Sequence, residues 1–162
     1  IQRLADVVSK NGNLMLNIPV RGDGTIDDKE EKVLDGITAW MGANGEAIYA
    51  TRPWRSFGEG PTKAPTGHMA ESEAKPFVAE DVRFTSKAGM LYAIFLDWPE
   101  RESAITSLGR NALGAARIYR VDLLGGGPIA FRQDGDALRL TIPRPVDGAF
   151  VPAVRIGGQG FV

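Results

Sequence analysis

Ser9-Lys10-Asn11-Gly12-Asn13-Leu14-Met15-Leu16-Asn17-Ile18-Pro19 is the stretch on which the fold turns. Ahead of it, Ile1, Leu4, Val7 and Val8 recur at helical spacing, and Asn11-Gly12 supplies the left-handed residue at which a helix can stop. Leu14-Met15-Leu16 is apolar at consecutive positions, the pattern of a strand buried on both faces in a parallel sheet covered by helices. Pro19-Val20-Arg21-Gly22-Asp23-Gly24 reads as a loop. Thr25 is placed to cap a second helix, with Asp28 three residues on and Asp27 in a first turn that favours acids. Val33, Leu34, Ile37, Trp40 and Met41 then share one helical face. Asn44-Gly45 reads as a second left-handed stop. Helix, buried strand, loop, helix is one repeat of an α/β layer fold.

Glu46 to Trp54 follows as a mostly apolar extended segment. From Arg55 to Asp81 no period of either kind is sustained, which reads as a long connection wrapping the surface or spanning two domains. Beyond it the period becomes two. Val82-Arg83-Phe84-Thr85 and residues 90–96 flank Ser86-Lys87-Ala88-Gly89, a hairpin signal. Tyr119, Val121 and Leu123 alternate with Arg120 and Asp122, and Gln133-Asp134-Gly135-Asp136 separates Ile129-Ala130-Phe131 from Leu138, Leu140 and Ile142. A last strand over residues 150–156 carries Pro152, which argues for a sheet edge. Short strands with regular turn signals predict an antiparallel β-sandwich. The fold expected is therefore α/β followed by all-β: residues 1–54 a helix-strand-helix unit, 55–76 a linker, 77–162 a sandwich.

Composition narrows the function classes. The 162 residues are 43% hydrophobic and 24% charged, as in ordinary globular proteins. Nineteen basic residues stand against 20 acidic ones, for a net charge of −1, so there is no basic field for nucleic acid or anionic lipid. The longest apolar run, residues 90–96, falls far short of the ~20 residues of a membrane helix. The absence of cysteine removes disulfides and thiolate metal sites and leaves the compartment open.

Asp6-Val7-Val8-Ser9-Lys10-Asn11-Gly12-Asn13-Leu14-Met15-Leu16-Asn17, then Pro19 with Asp23-Gly24-Thr25-Ile26, then Asn44-Gly45-Glu46-Ala47-Ile48-Tyr49 and Thr51-Arg52-Pro53-Trp54, resemble the C-terminal signature of the retaining α-L-fucosidases, glycoside hydrolase family 29. The likeness continues more loosely through Gly58-Glu59-Gly60-Pro61-Thr62, Arg83-Phe84-Thr85 and Leu91-Tyr92-Ala93. Two positions depart mildly: many relatives have proline where Asp27 stands and leucine where Met15 stands. The resemblance implies the end of a (β/α)8-like barrel followed by a β-sandwich, with nucleophile, acid/base and fucose pocket all upstream and none in this chain. It implies no metal or organic cofactor. The partners it implies are a fucosylated oligosaccharide or glycoconjugate and the rest of the catalytic barrel; the compartment stays open, with a secreted or periplasmic setting preferred to a cytoplasmic one. The alternative is a non-catalytic carbohydrate-binding or structural β-sandwich module, which exposed aromatics on one sandwich face would mark.

If residues 14–18 form a barrel strand, its C-terminal end and the following loop lie on the catalytic face. Asn17, Arg21 and Asp23 are then the substrate-proximal candidates, each of which also has a plain role in strand-end or turn chemistry. Trp54 is expected to pack between barrel and sandwich, and Trp98 in strand-end core. Asp27/Asp28 and Glu30/Glu31 are helix neighbours that point apart, and Asp97, Glu100 and Glu102 crowd a turn. His68, the one histidine, has neither a second histidine nor a triad around it. Gly125-Gly126-Gly127 has no helix after it to make a phosphate cradle.

Overall fold

The computed structural model describes residues 1–63, 75–143 and 150–160, so His68 lies outside the described residues. It opens on two helices, α1 (Gln2–Ser9) and α2 (Asp28–Asn44). The stop after α1 divides its work between two residues. Asn11 takes the left-handed conformation at φ 63°, and Gly12 donates its N–H to the Val7 carbonyl at 2.8 Å. A Cβ on Gly12 would sit 2.9 Å from Val7 Cγ1 and 3.1 Å from the Val7 carbonyl oxygen, so a larger residue there would force Val7 to shift.

Both ends of α2 differ from expectation. Asp27, not Thr25, is the N-cap, its carboxylate accepting the Lys29 N–H at 2.9 Å. At the other end Gly45 stays right-handed (φ −58°) and a 3-10 turn, Gly45–Ala47, prolongs the helix. The left-handed position falls at Ala50 instead (φ 58°).

The buried strand expected between the helices does not form within this chain. Residues 12–19 join no sheet, and a single bridge pairs Val20 with Ile26. Met15 is 93% exposed, flanked by exposed Leu14 and Leu16, and Val33 on α2 is exposed as well. A central strand needs a neighbour on each side, and none stands beside it among the described residues.

The remaining residues build two sheets. The larger has six strands in the order β1 (Arg52–Glu59), β2 (Val82–Lys87), β3 (Met90–Phe95), β9 (Ala153–Gln159), β5 (Arg117–Leu123) and β6 (Gly127–Pro128). The smaller runs β4 (Ser103–Ile105), β8 (Leu138–Leu140), β7 (Phe131–Gln133), and every pairing is antiparallel. A short helix, α3 (Arg110–Leu113), and a 3-10 turn, Thr106–Leu108, link β4 to β5. The β2–β3 hairpin closes on Ala88 and Gly89, both left-handed as a mirror-image two-residue turn requires.

The run of apolar residues in β3 reports that its sheet is covered on both faces. Leu91, Ala93 and Phe95 join Phe84, Ile105, Leu138, Val154 and Ile156 between the two sheets. Tyr92, Ile94 and Leu96 face the other way and meet Ala5 of α1, Trp40 of α2 and Ala47. The large sheet is thus the middle of three layers, with the helices outside. The Trp40 indole N–H donates to the Val151 carbonyl at 2.8 Å, and Gly36 leaves room for the Phe150 ring, which a Cβ there would approach to 2.8 Å.

Three strand readings are corrected. The last strand is central rather than an edge, because Pro152 precedes it and offers only its carbonyl, to Phe95 N–H at 3.0 Å. In β5 the register slips between Ile118 and Arg120, so Ile118 turns inward and Tyr119 is left 64% exposed. The segment expected to dissolve at Arg55 runs on to Glu59 as β1, masked by a slip between Pro53 and Gly58. A Cβ on Gly58 would lie 2.3 Å from the Val82 carbonyl oxygen.

Candidate functional site

The loop after residues 14–18 is held by its own polar groups. The Val20–Ile26 bridge closes it, Arg21 N–H donates to the Thr25 carbonyl at 2.8 Å, and Gly24 N–H to that of Arg21 at 2.9 Å. The Asp23 carboxylate accepts both the backbone N–H (3.0 Å) and the hydroxyl (2.7 Å) of Thr25. Those bonds, the backbone one first, hold its carboxyl below the usual range. Asp23 is therefore an ionised acceptor, not a proton donor.

Arg21 reaches back to the start of α2, pairing with Asp28 at 3.0 Å and Asp27 at 3.3 Å. These pairs are exposed and add little stability, but they fix where the guanidinium sits. Asn17 is exposed ahead of the loop. The structure thus puts Arg21 and Asp23 on one small hairpin and Asn17 three residues before its closing bridge.

The other sequence candidates have structural places. Asp27 is a helix cap and Asp28 an exposed partner of Arg21. Trp54 lies between the two sheets of the sandwich, edge-on to Phe84 with ring centroids 5.2 Å apart, not between barrel and sandwich. Trp98 packs at the end of β3 against the same core, as expected. Gly125-Gly126-Gly127 makes the β5–β6 turn beside Ala43 of α2. Among the described residues no group of His, Cys, Asp or Glu is placed to hold a metal ion.

The best-developed polar network went unseen in the sequence. It sits at the seam between the helical unit and the outer face of the large sheet. Tyr92 and Asp122 both pair with Arg155 across neighbouring strands. The Tyr92 hydroxyl donates to Glu46 Oε1 at 2.7 Å, and Arg155 donates to Glu46 at 3.2 Å and to Asp122 at 3.3 Å. Arg120 donates to Asp122 at 2.7 Å. Burial and the Glu46 carboxylate raise the Tyr92 pKa. The Tyr92 bond chiefly lowers that of Glu46, and the Arg120 bond chiefly lowers that of Asp122. Nearby, the buried Arg83 donates to Asp6 at 2.6 Å, Lys10 donates to Asp6 at 2.7 Å, and Thr85 donates to the Ala47 carbonyl at 2.7 Å. The one available signal was Asp6 and Arg83, charged residues set among apolar neighbours.

A retaining glycosidase needs two carboxyls about 5–5.5 Å apart, one kept protonated by its surroundings. Among the described residues every carboxyl with a clear shift, Asp6, Asp23, Glu46, Asp122 and Asp134, is shifted down. These groups are suited to holding structure and accepting hydrogen bonds.

Two family models match in tandem: α-L-fucosidase over residues 1–46 and α-L-fucosidase C-terminal domain over residues 75–153. Human plasma α-L-fucosidase is 35% identical over 146 residues, covering 86% of this chain and 27% of that protein. Human tissue α-L-fucosidase is 38% identical over 112 residues, covering 66% and 20%. Thermotoga maritima α-fucosidase, solved in complex with fucose, superposes with a TM-score of 0.68 at 30% identity, over 96% of this chain and 32% of that one. The chain thus spans about a fifth to a third of the length of these relatives.

Proposed function

The chain belongs to the α-L-fucosidase family, as a C-terminal portion, and we propose that the polypeptide carrying it removes terminal α-L-fucose from glycans or glycoconjugates with retention, through a covalent glycosyl-enzyme. In this reading the nucleophile and acid/base lie upstream, and this chain closes the barrel and carries the sandwich. A division between the helical unit and the sandwich belongs to the same reading and is supported by family matches that end at 46 and resume at 75, with β1 already part of the large sheet.

The tandem match carries the proposal, and the uncovered Leu14-Met15-Leu16 supports it. Three consecutive apolar residues in solvent are what a barrel strand becomes when its neighbours belong to a segment outside this chain. Completing the barrel would bury that run and bring the loop with Asn17, Arg21 and Asp23 to the catalytic face. There Arg21 would donate to sugar oxygens, and the ionised Asp23 would accept from a hydroxyl or hold the loop.

An aryl α-L-fucoside tests the reading. The polypeptide with its upstream barrel should release the phenol and give α-L-fucose as the first-formed sugar, and residues 1–162 alone should not. A first-formed β-anomer, or turnover by the isolated chain, overturns it.

A further inference from the structure

The guanidinium of Arg21 is held by a single nitrogen. Its Nη2 donates to Asp28 Oδ1 at 3.0 Å and to Asp27 Oδ2 at 3.3 Å. Nε and Nη1 have no hydrogen-bond partner among the described residues, so their N–H donors are free. Both ends of the clasp are fixed. Arg21 belongs to the hairpin closed by the Val20–Ile26 bridge, and its backbone N–H donates to the Thr25 carbonyl. Asp28 is the first residue of α2, next to the Asp27 cap, and α2 is tied to the sandwich by the bond from the Trp40 indole to the Val151 carbonyl.

We propose that Asp28 is a positioning residue for the leaving-group side of the active site. It holds Arg21 so that the free donors engage the saccharide to which fucose is attached. This deepens the fucosidase reading and rests on it.

The chemistry of the loop puts it at the rim of the site. Leu14-Met15-Leu16 calls for cover, whereas the hairpin after it is charged, with the Arg21 and Asp28 side chains 46% and 83% exposed. Burying Asp23, Asp27 and Asp28 with one guanidinium would strand unpaired charge, so the loop keeps its solvent when the barrel is complete. An enzyme that removes a terminal sugar encloses that sugar, and the rest of the glycan stays at the mouth, where an exposed loop on the catalytic face meets it.

The pair acts on binding more than on folding. So exposed an ion pair adds little to stability. A long side chain that is already in place, however, gives up less rotamer freedom when it grips a ligand. Hydroxyls of a saccharide can accept from Nε and Nη1; an aryl leaving group offers far fewer acceptors.

The test is steady-state kinetics of the full polypeptide on an aryl α-L-fucoside, on lactose fucosylated at galactose or at glucose, and on fucosyl-N-acetylglucosamine. For the saccharide cleaved best, Asp28→Asn should raise KM about fivefold more than for the aryl fucoside while kcat moves by less than about twofold, as expected when uniform binding is lost. Arg21→Ala should shift that ratio in the same direction. The double variant should go no further than Arg21→Ala, because Asp28 acts through Arg21. Asp28→Glu keeps the carboxylate and should restore part of the loss. Glu31→Gln removes a charge from the same helical turn and should leave the ratio alone. Equal effects on both leaving groups, no effect on either, or a loss from Asp28→Asn that adds fully to that of Arg21→Ala overturns the role. So does a wild type that cleaves the aryl fucoside and none of the saccharides. A wild type inactive on every fucoside defeats the fucosidase reading first, and this role with it.

Discussion

The Tyr92 hydroxyl, in the middle of the large sheet, donates to the Glu46 carboxylate just beyond the second helix at 2.7 Å. That bond crosses from the helical unit to the sandwich, and Arg155 joins it from the neighbouring strand. The two halves are therefore locked by charge-assisted hydrogen bonds as well as by the apolar contact of Trp40 and Ala47 with Ile94 and Leu96.

Tyr92→Phe should loosen this seam without unfolding the sandwich. A hydrogen bond to a charged group contributes about 1.5–3 kcal/mol, and partial exposure of Glu46 argues for the lower end. Hydrogen exchange followed by mass spectrometry should show amides of residues 45–49 and β3 exchanging about tenfold faster, with those of β7 and β8 unchanged.

Asp6→Asn should be costlier, because it strands the guanidinium of Arg83, which is 3% exposed. Leaving a buried charge unpaired costs about 3–5 kcal/mol, and the solvent still reaching Asp6 brings the expected loss to about 2–3 kcal/mol. Unfolding of α1 away from β2 would appear as lost exchange protection in both elements. Asp6→Asn combined with Arg83→Met should recover part of it.

Acid should weaken the fold through its paired carboxyls. The Asp134 carboxyl is brought to about 2, first by its bond from Arg139 and then by the N–H groups of Ala137 and Asp136. Its folded pKa lies below the unfolded value near 3.9. Its contribution is thus complete above that value and lost as pH falls toward about 2. The depressed Glu46, Asp6 and Asp122 act with the same sign. Asp134→Asn should flatten the loss of β7–β8 protection between pH 4 and 2, read by exchange at matched intrinsic rates.

Gly109→Ala should disrupt the approach of α3 to the β7–β8 turn. A Cβ there would meet the Asp136 carbonyl carbon at 2.4 Å and the Ala137 nitrogen at 2.6 Å. Both are backbone atoms that cannot swing away, so a cost of about 2–3 kcal/mol, at the upper end for overpacking, is expected. A thermal scan should show the sandwich melting earlier while the bond from Arg21 to Asp28 has no part in the change.

Much of this was legible in the residues. Val82 to Leu96 announced its hairpin because Ala88-Gly89 can only turn one way there, and the motif from Asp6 to Asn17 carried the family. What escaped were places where one position obeys a partner distant in sequence. Tyr119 faces out because the β5–β9 ladder slips beside it, and Pro152 lies outside the strand it was thought to weaken. Residues 14–18 were read from a pattern whose strand partners are not found among the described residues. For the candidate loop, sequence placed Arg21 and Asp23 together but not the acids at the start of α2 that Arg21 answers.

The exposed run at Met15 gives opposite expectations in two settings. In residues 1–162 alone, Leu14→Lys with Leu16→Lys should suppress self-association in sedimentation velocity. In the full polypeptide the same pair should abolish folding of the barrel. A monomeric, cooperatively folded 1–162 would count against a barrel strand at this position.

The most direct measurement is proton NMR of an aryl α-L-fucoside incubated with residues 1–162 and, separately, with the polypeptide that includes the upstream barrel. The account predicts no turnover by the first and α-L-fucose as the initial product of the second. Sustained fucose release by 1–162 alone would contradict it.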